Sequence, residues 1–243
     1  MLINLKNLGG VMVKQCLKYF WGFIVILLIC ILFKINPTSD DSNLIIQSYE
    51  IYNNGEEIAN LDDQNVNYQN YNNDIVGSIR IIGTNISRQI VQGEDNEYYL
   101  NHNVEKEEDI NGSVFIDYRN NFEDRKILIY GHNARHLETV PFHELEKFTD
   151  EQFLKENNFI ELELNGDKSV WQIFSVMITQ DKKEHMKIKF DDLEWERHLD
   201  WLKQESLYDT GVNVNKFDRI ITLQTCYYNP ANSYLLISAK KVG

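Results

Sequence analysis

From residue 75 onward the chain is divided into short runs of β-branched and aromatic residues, and this constrains its fold more than any other feature. The runs cover 75–82, 113–117, 126–130, 159–164, 170–178, 219–225 and 234–242, and glycines and Asn/Asp clusters separate them. Each has strand length. No helix alternates with them as a parallel βαβ layer would require, so the pattern predicts a mostly antiparallel sandwich or closed barrel over 76–243. Two helices interrupt the strands. Thr149-Asp150-Glu151-Gln152 has the form of a capping box, followed by Phe153 and Leu154. Residues 191–206 place Leu193, Trp195, Leu199 and Leu202 near one face, with charged residues opposite.

The preceding sequence has a different texture. Residues 19–33 form an uncharged apolar run of 15 residues between Lys18 and Lys34. Spanning a bilayer takes roughly 20 residues, and Cys16, Leu17 and two snorkelling lysines bring the segment near the lower limit. A cleaved signal peptide is the rival reading, but no small-x-small site follows the run. The sequence therefore predicts an anchor over 19–34. Three lysines precede the run and Asp40 and Asp41 follow it, so residues 1–18 are expected in the cytoplasm and the remainder outside the cell. Residues 35–75 read as one or two amphipathic helices and a linker, with Leu44, Ile45, Tyr49, Ile51, Ile58 and Leu61 at rough helical spacing.

Charge narrows the possible partners. All four basic residues of the first 34 are lysines, and no Asp or Glu occurs there. The rest of the chain carries 20 basic and 37 acidic residues, a net charge of −17. Such a surface repels nucleic acid and anionic lipid. No phosphate-binding glycine loop or basic stripe is present.

Cys226 ends the apolar run 220–225, and it is the only cysteine outside the N-terminal hydrophobic segment, which holds or borders Cys16 and Cys30. In an oxidising compartment a thiol without a disulfide partner suggests a use for the thiol. A thiolate nucleophile needs a base or cation nearby and donors for the oxyanion. His132 follows the apolar run 126–130 as Cys226 follows its own run, and Gly131 permits an unusual backbone and a close substrate approach. Both residues have blander readings, as a packed cysteine and a satisfied polar group. His132 and His136 have i,i+4 spacing, but Asn133 stands where a zinc protease carries glutamate, so no metal is expected. His102, His185 and His198 read as surface residues. Glu105, Glu107, Glu108 and Asp109 read as a solvated loop without EF-hand spacing.

Thr222-Leu223-Gln224-Thr225-Cys226 resembles the TLxTC signature of the sortases, the membrane-anchored cysteine transpeptidases of Gram-positive bacteria, and Tyr130-Gly131-His132-Asn133 resembles their histidine motif. The segments 91–102 and 112–120 and the helix before the cysteine run are similar to those of class B. The resemblance spans roughly residues 40–243. It implies an eight-stranded β-barrel with N-terminal helices, with Cys226 as nucleophile and His132 as its acid and base, and no cofactor. It also implies cleavage of a C-terminal sorting signal after Thr, a Cys thioester, and transfer of a surface protein to an amine of a cell-wall precursor or pilin. Tyr130, Gln224 and Thr225 occupy motif positions that line the family's substrate groove.

One position departs from the pattern. The family carries an arginine at the start of the last strand, where this chain places Tyr234, and no arginine follows Arg219. Arg219 lies seven residues before Cys226 on the same strand, roughly 23 Å away at strand spacing. Arg135 and the Tyr234 hydroxyl are the candidates for oxyanion or substrate positioning. Tyr227 follows the cysteine where a polar or acidic residue is common. Two other readings remain open: a sortase-fold binding protein that catalyses little because Tyr234 replaces the arginine, and a hydrolytic cysteine peptidase.

Overall fold

The computed structural model describes residues 72–134, 139–181 and 183–243. The anchor expected over 19–34, residues 35–71 of the helical segment expected over 35–75, and Arg135 and His136 lie outside these residues, while Ile75 already belongs to the first strand. Among the described residues no helix is long and apolar enough to cross a membrane.

Eight strands close into a barrel: β1 Ile75–Ile81, β2 Ser87–Val91, β3 Val114–Ile116, β4 Lys126–Tyr130, β5 Phe159–Leu164, β6 Asp167–Thr179, β7 Ile220–Tyr227 and β8 Ser233–Lys241. Their order around the barrel is β1-β2-β3-β4-β7-β8-β6-β5. Closure leaves no edge strand. The pairs β2–β3 and β4–β7 are parallel, and the others are antiparallel. A parallel pair needs a long crossover. The one between β4 and β7 contains both helices, α1 Glu151–Glu156 and α2 Asp192–Gln204.

Alternation along each strand sorts the side chains. Ile127 and Ile129 of β4, Ile221 and Leu223 of β7, and Leu235, Ile237 and Ala239 of β8 pack in the main core. The intervening residues face outward, and two further clusters cover them. Phe174, Met177, Ile220 and Leu236 pack beneath Trp195, Leu199 and Leu202 of α2. Leu128 and Tyr130 pack with Val91, Tyr99, Phe115 and Ile188. Burying a large aliphatic or aromatic side chain contributes about 1.5–3 kcal/mol.

The helices differ from expectation in detail. α1 takes its cap from Asp150, whose carboxylate accepts from the Phe153 amide, one residue later than the Thr149 box predicts. α2 has a reciprocal capping box between Asp191 and Glu194. Leu193 is exposed instead of packed, and His198 joins Trp195, Leu199 and Leu202 on the buried face. His185 and His198 are not surface residues, since both are completely buried. A bare sequence does not show that the connection 180–191 folds over the barrel and encloses them.

Candidate active site

The parallel β4–β7 register places Tyr130 beside Gln224. At the end of β4 the Gly131 amide donates to the Gln224 carbonyl at 3.2 Å, and Thr225 Oγ1 donates to the Gly131 carbonyl at 2.7 Å. His132 and Cys226 each lie two residues beyond the Tyr130–Gln224 pair. Within β7, Cys226 keeps the outward face of Gln224. Cys226 is exposed on that face.

Two contacts fix His132. Its carbonyl accepts from the Phe142 amide at 2.9 Å. Its Nε2 meets the Leu100 carbonyl at 2.7 Å. A carbonyl only accepts, so Nε2 carries the hydrogen of the neutral ring. Gly131 also serves a neighbour within the protein. A Cβ there would lie 2.6 Å from the Phe142 ring. Gly112 serves in the same way, with φ at +60° and its Cβ position 2.6 Å from the Tyr99 and Leu100 carbonyls. It therefore lets the backbone that holds His132 sit close.

Asn133 ties the two strand ends together. Its Nδ2 donates to the Cys226 carbonyl at 3.1 Å and to Glu146 Oε1 at 2.5 Å. Its Oδ1 lies 3.1 Å from His143 Nδ1, and its own carbonyl accepts from the Tyr228 hydroxyl at 2.7 Å. The Gly-His-Asn run pointed to position 132 and left Asn133 without a role. The Leu100 carbonyl is backbone and leaves no trace in residue type.

The groove positions differ in what they offer. Tyr130 donates its hydroxyl to Asp117 at 2.7 Å. Burial, and then the neighbouring carboxylate, pushes its pKa upward. Burial alone would raise the pKa of Asp117, but hydrogen bonds from Arg119 and Tyr130 outweigh it and hold the carboxyl below its usual range. Arg119 binds Asp117 through both Nε and Nη2 at 2.8 and 2.7 Å. The Thr225 hydroxyl is engaged by Gly131. The Gln224 amide is buried, and among the described residues its Oε1 has no hydrogen-bond partner.

Tyr234 stands directly opposite Cys226 across the antiparallel β7–β8 ladder. Directly opposed residues in such a pair share a face. Its ring lies 5.1 Å from that of His185 and packs against the cluster beneath α2. Arg219 is at the other end of β7, donating to the Phe122 and Asp124 carbonyls. Among the described residues no three His, Cys, Asp or Glu side chains gather as a metal ion would require.

Comparison with known proteins shows the family and the fold. A family model for the sortase domain matches residues 79–242. Sortase B of Listeria monocytogenes is 38% identical over 161 residues, which cover 65% of this chain and 65% of that protein. The match thus spans slightly less than two thirds of this relative's length. The crystal structure of Clostridium perfringens sortase B superposes with a TM-score of 0.69 at 37% identity, covering 73% of this chain and 98% of that one. The Staphylococcus aureus sortase B–substrate complex superposes with a TM-score of 0.66 at 31% identity, covering 72% of this chain and 82% of that one.

Proposed function

The chain belongs to the sortase family, and on that premise we propose that it is a cysteine transpeptidase that processes C-terminal sorting signals of surface proteins. The observation that supports the proposal is the Tyr130–Gln224 register pair, two residues before His132 and Cys226, together with the bond from Asn133 to the Cys226 carbonyl.

In the first half-reaction the Cys226 thiolate attacks the carbonyl carbon of a Thr–X peptide bond. The tetrahedral intermediate collapses with cleavage of the C–N bond. The leaving nitrogen takes a proton from the His132 imidazolium, and a thioester remains on Sγ. An amine then attacks the thioester carbonyl and loses a proton to the imidazole, and the Cys226 thiolate departs. The Leu100 carbonyl fixes the proton on Nε2 throughout, so a single nitrogen, Nδ1, serves both steps. Asn133 keeps the Cys226 backbone in place. The Tyr234 hydroxyl takes the oxyanion-donor role on the cysteine's own face. The buried Gln224 amide meets the polar backbone of the sorting peptide.

A substrate complex is known for a sortase B related to this chain, which supports peptide binding along the corresponding face. The apolar run 19–33, flanked by lysines, supports a single membrane anchor with the barrel outside the cell. The acceptor is an amine of a cell-wall precursor or pilin. The test is cleavage and transfer of a sorting-signal peptide by the full chain. Cys226→Ala should abolish both while leaving the fold intact, and unchanged turnover would refute the assignment.

A further inference from the structure

Lys126 opens β4, the strand that leads to His132, and its side chain is completely buried. Its Nζ donates to the His185 carbonyl at 2.7 Å and lies 3.1 Å from His198 Nε2. An ammonium only donates, so Nε2 accepts, and the imidazole hydrogen is on Nδ1. That nitrogen donates to Glu184 Oε1 at 2.9 Å. The three groups form a chain in which a neutral imidazole relays a carboxylate to a buried ammonium. Burial, and then the Lys126 charge, lowers the His198 pKa to about 2, so the ring stays neutral.

The neighbouring carbonyl is held in the same way. Arg119 donates to the Met186 carbonyl at 3.0 Å while its fork grips Asp117. Two cations from the barrel therefore hold consecutive carbonyls of the connection between β6 and α2. Phe190 closes the space above, with its ring centroid 6.0 Å from Lys126 Nζ. Lys187, paired with Glu194 at 2.6 Å, lies over the same Phe190 ring at 5.3 Å from its centroid.

Apolar residues of similar size replace a buried ionic group at little cost or with a gain in stability. Packing alone therefore does not call for a lysine at position 126. We propose that Lys126 and Arg119 form a clasp that pins the β6–α2 connection to the outer face of the barrel, and that Lys126 acts through this clasp as a positioning residue for the Cys226 site. The route is short. The His185 ring, whose carbonyl Lys126 holds, braces Tyr234, and Tyr234 is the register partner of Cys226. On the other flank, Ile188 of the same connection packs with Leu128 and Tyr130. The positioning half of the proposal rests on the reading of Cys226 as nucleophile. The clasp itself does not.

The clasp depends on pH. A charge-assisted hydrogen bond is roughly twice as strong as a neutral one. Burial lowers the Lys126 pKa to about 7. The charges of Glu184 and Asp117 oppose this shift and that of Arg119 adds to it. His198 also faces Lys126, and the Lys187 charge acts on His198. The clasp slackens as pH rises through neutrality.

The test compares the full-length wild type with Lys126→Met and Glu184→Gln. Protection factors for backbone amides 183–190 are measured by hydrogen exchange on both sides of neutrality. Wild-type protection should fall several-fold from the acidic to the basic side. Lys126→Met should show the low value at both pH values. Glu184→Gln, which changes a partly exposed carboxylate and poses little risk to folding, should move the transition to lower pH. Peptide turnover by Lys126→Met should fall by at least about tenfold, equivalent to roughly 1.4 kcal/mol of barrier, with no decrease in Tm. Wild-type protection in Lys126→Met, or an unmoved transition in Glu184→Gln, overturns the clasp. Wild-type turnover in Lys126→Met overturns the positioning role. A wild type that cleaves no peptide defeats the reading of Cys226, while the protection factors still decide the clasp.

Discussion

Cys226 and Tyr234 face each other as direct partners across the β7–β8 ladder. The resemblance places an arginine at position 234, and this chain presents a phenol there, braced by the ring of His185. A neutral hydroxyl donates one hydrogen bond without a charge. Tyr234→Phe keeps the ring and its packing and removes only the donor. The expected result is a fall in kcat of about 10²–10³-fold, the usual cost of one oxyanion donor, with Tm held. Tyr234→Arg should restore or exceed wild-type turnover. Steady-state kinetics on a cleavable sorting peptide measures both, and an unchanged kcat in Tyr234→Phe excludes the hydroxyl.

Gly112 is remote from Cys226 in sequence but supports the Leu100 carbonyl that holds His132. Alanine there meets two carbonyl oxygens at 2.6 Å and a φ of +60°. Gly112→Ala should destabilise the fold by more than about 1 kcal/mol, as expected where alanine is forced to positive φ. It should also reduce turnover beyond what the unfolded fraction explains. Thermal unfolding together with kinetics below Tm separates the two effects.

Asn133 is buried and spans both strand ends. Asn133→Ala removes a donor from the Cys226 carbonyl and from Glu146, at a cost of roughly 1–3 kcal/mol. Denaturant unfolding should show this as a lower midpoint with an unchanged m-value. Asn133→Asp, which replaces the donor with an acceptor facing Glu146, should be worse than alanine.

The barrel was legible because strand runs and turn residues alternate along the sequence, and Ile221, Leu223, Leu235 and Ile237 show the inward phase directly. Cys226 and His132 stood out because each ends an apolar run. The contacts that hold them were less visible. The Leu100 carbonyl is backbone, and a glycine at 131 does not reveal that the Phe142 ring packs on it. His185 and His198 read as surface residues because their burial depends on a long connection folding back over β4 and β8. Lys126 was the overlooked clue: a single charge at the start of a five-residue run that is buried throughout.

Lys126 also predicts how stability varies with pH. Its folded pKa lies near 7, against an ordinary value of 10.5. Below pH 7 both states are protonated, and the full penalty of the buried charge is present. Between about 7 and 10.5 the unfolded chain binds more protons, so this group makes stability rise with pH by up to about 1.4 kcal/mol per unit. Lys126→Met should remove that slope and be more stable than wild type at neutral pH. Unfolding free energies of the two proteins across this window measure the difference. A wild-type slope retained in Lys126→Met would contradict the assignment. This global trend is opposite in direction to the local slackening of the clasp, so unfolding and hydrogen exchange report on different consequences of one proton.

The central claim is that Cys226 carries the acyl group, and intact-mass spectrometry of the full chain with a sorting-signal peptide tests it most directly. The account predicts an adduct equal to the peptide's N-terminal fragment through Thr. The adduct should map to Cys226, be released by hydroxylamine or an added amine, and be absent from Cys226→Ala. Its formation should be slowed sharply in His132→Ala. An adduct of the same mass on Cys226→Ala, or release of cleaved peptide by that variant, would contradict it.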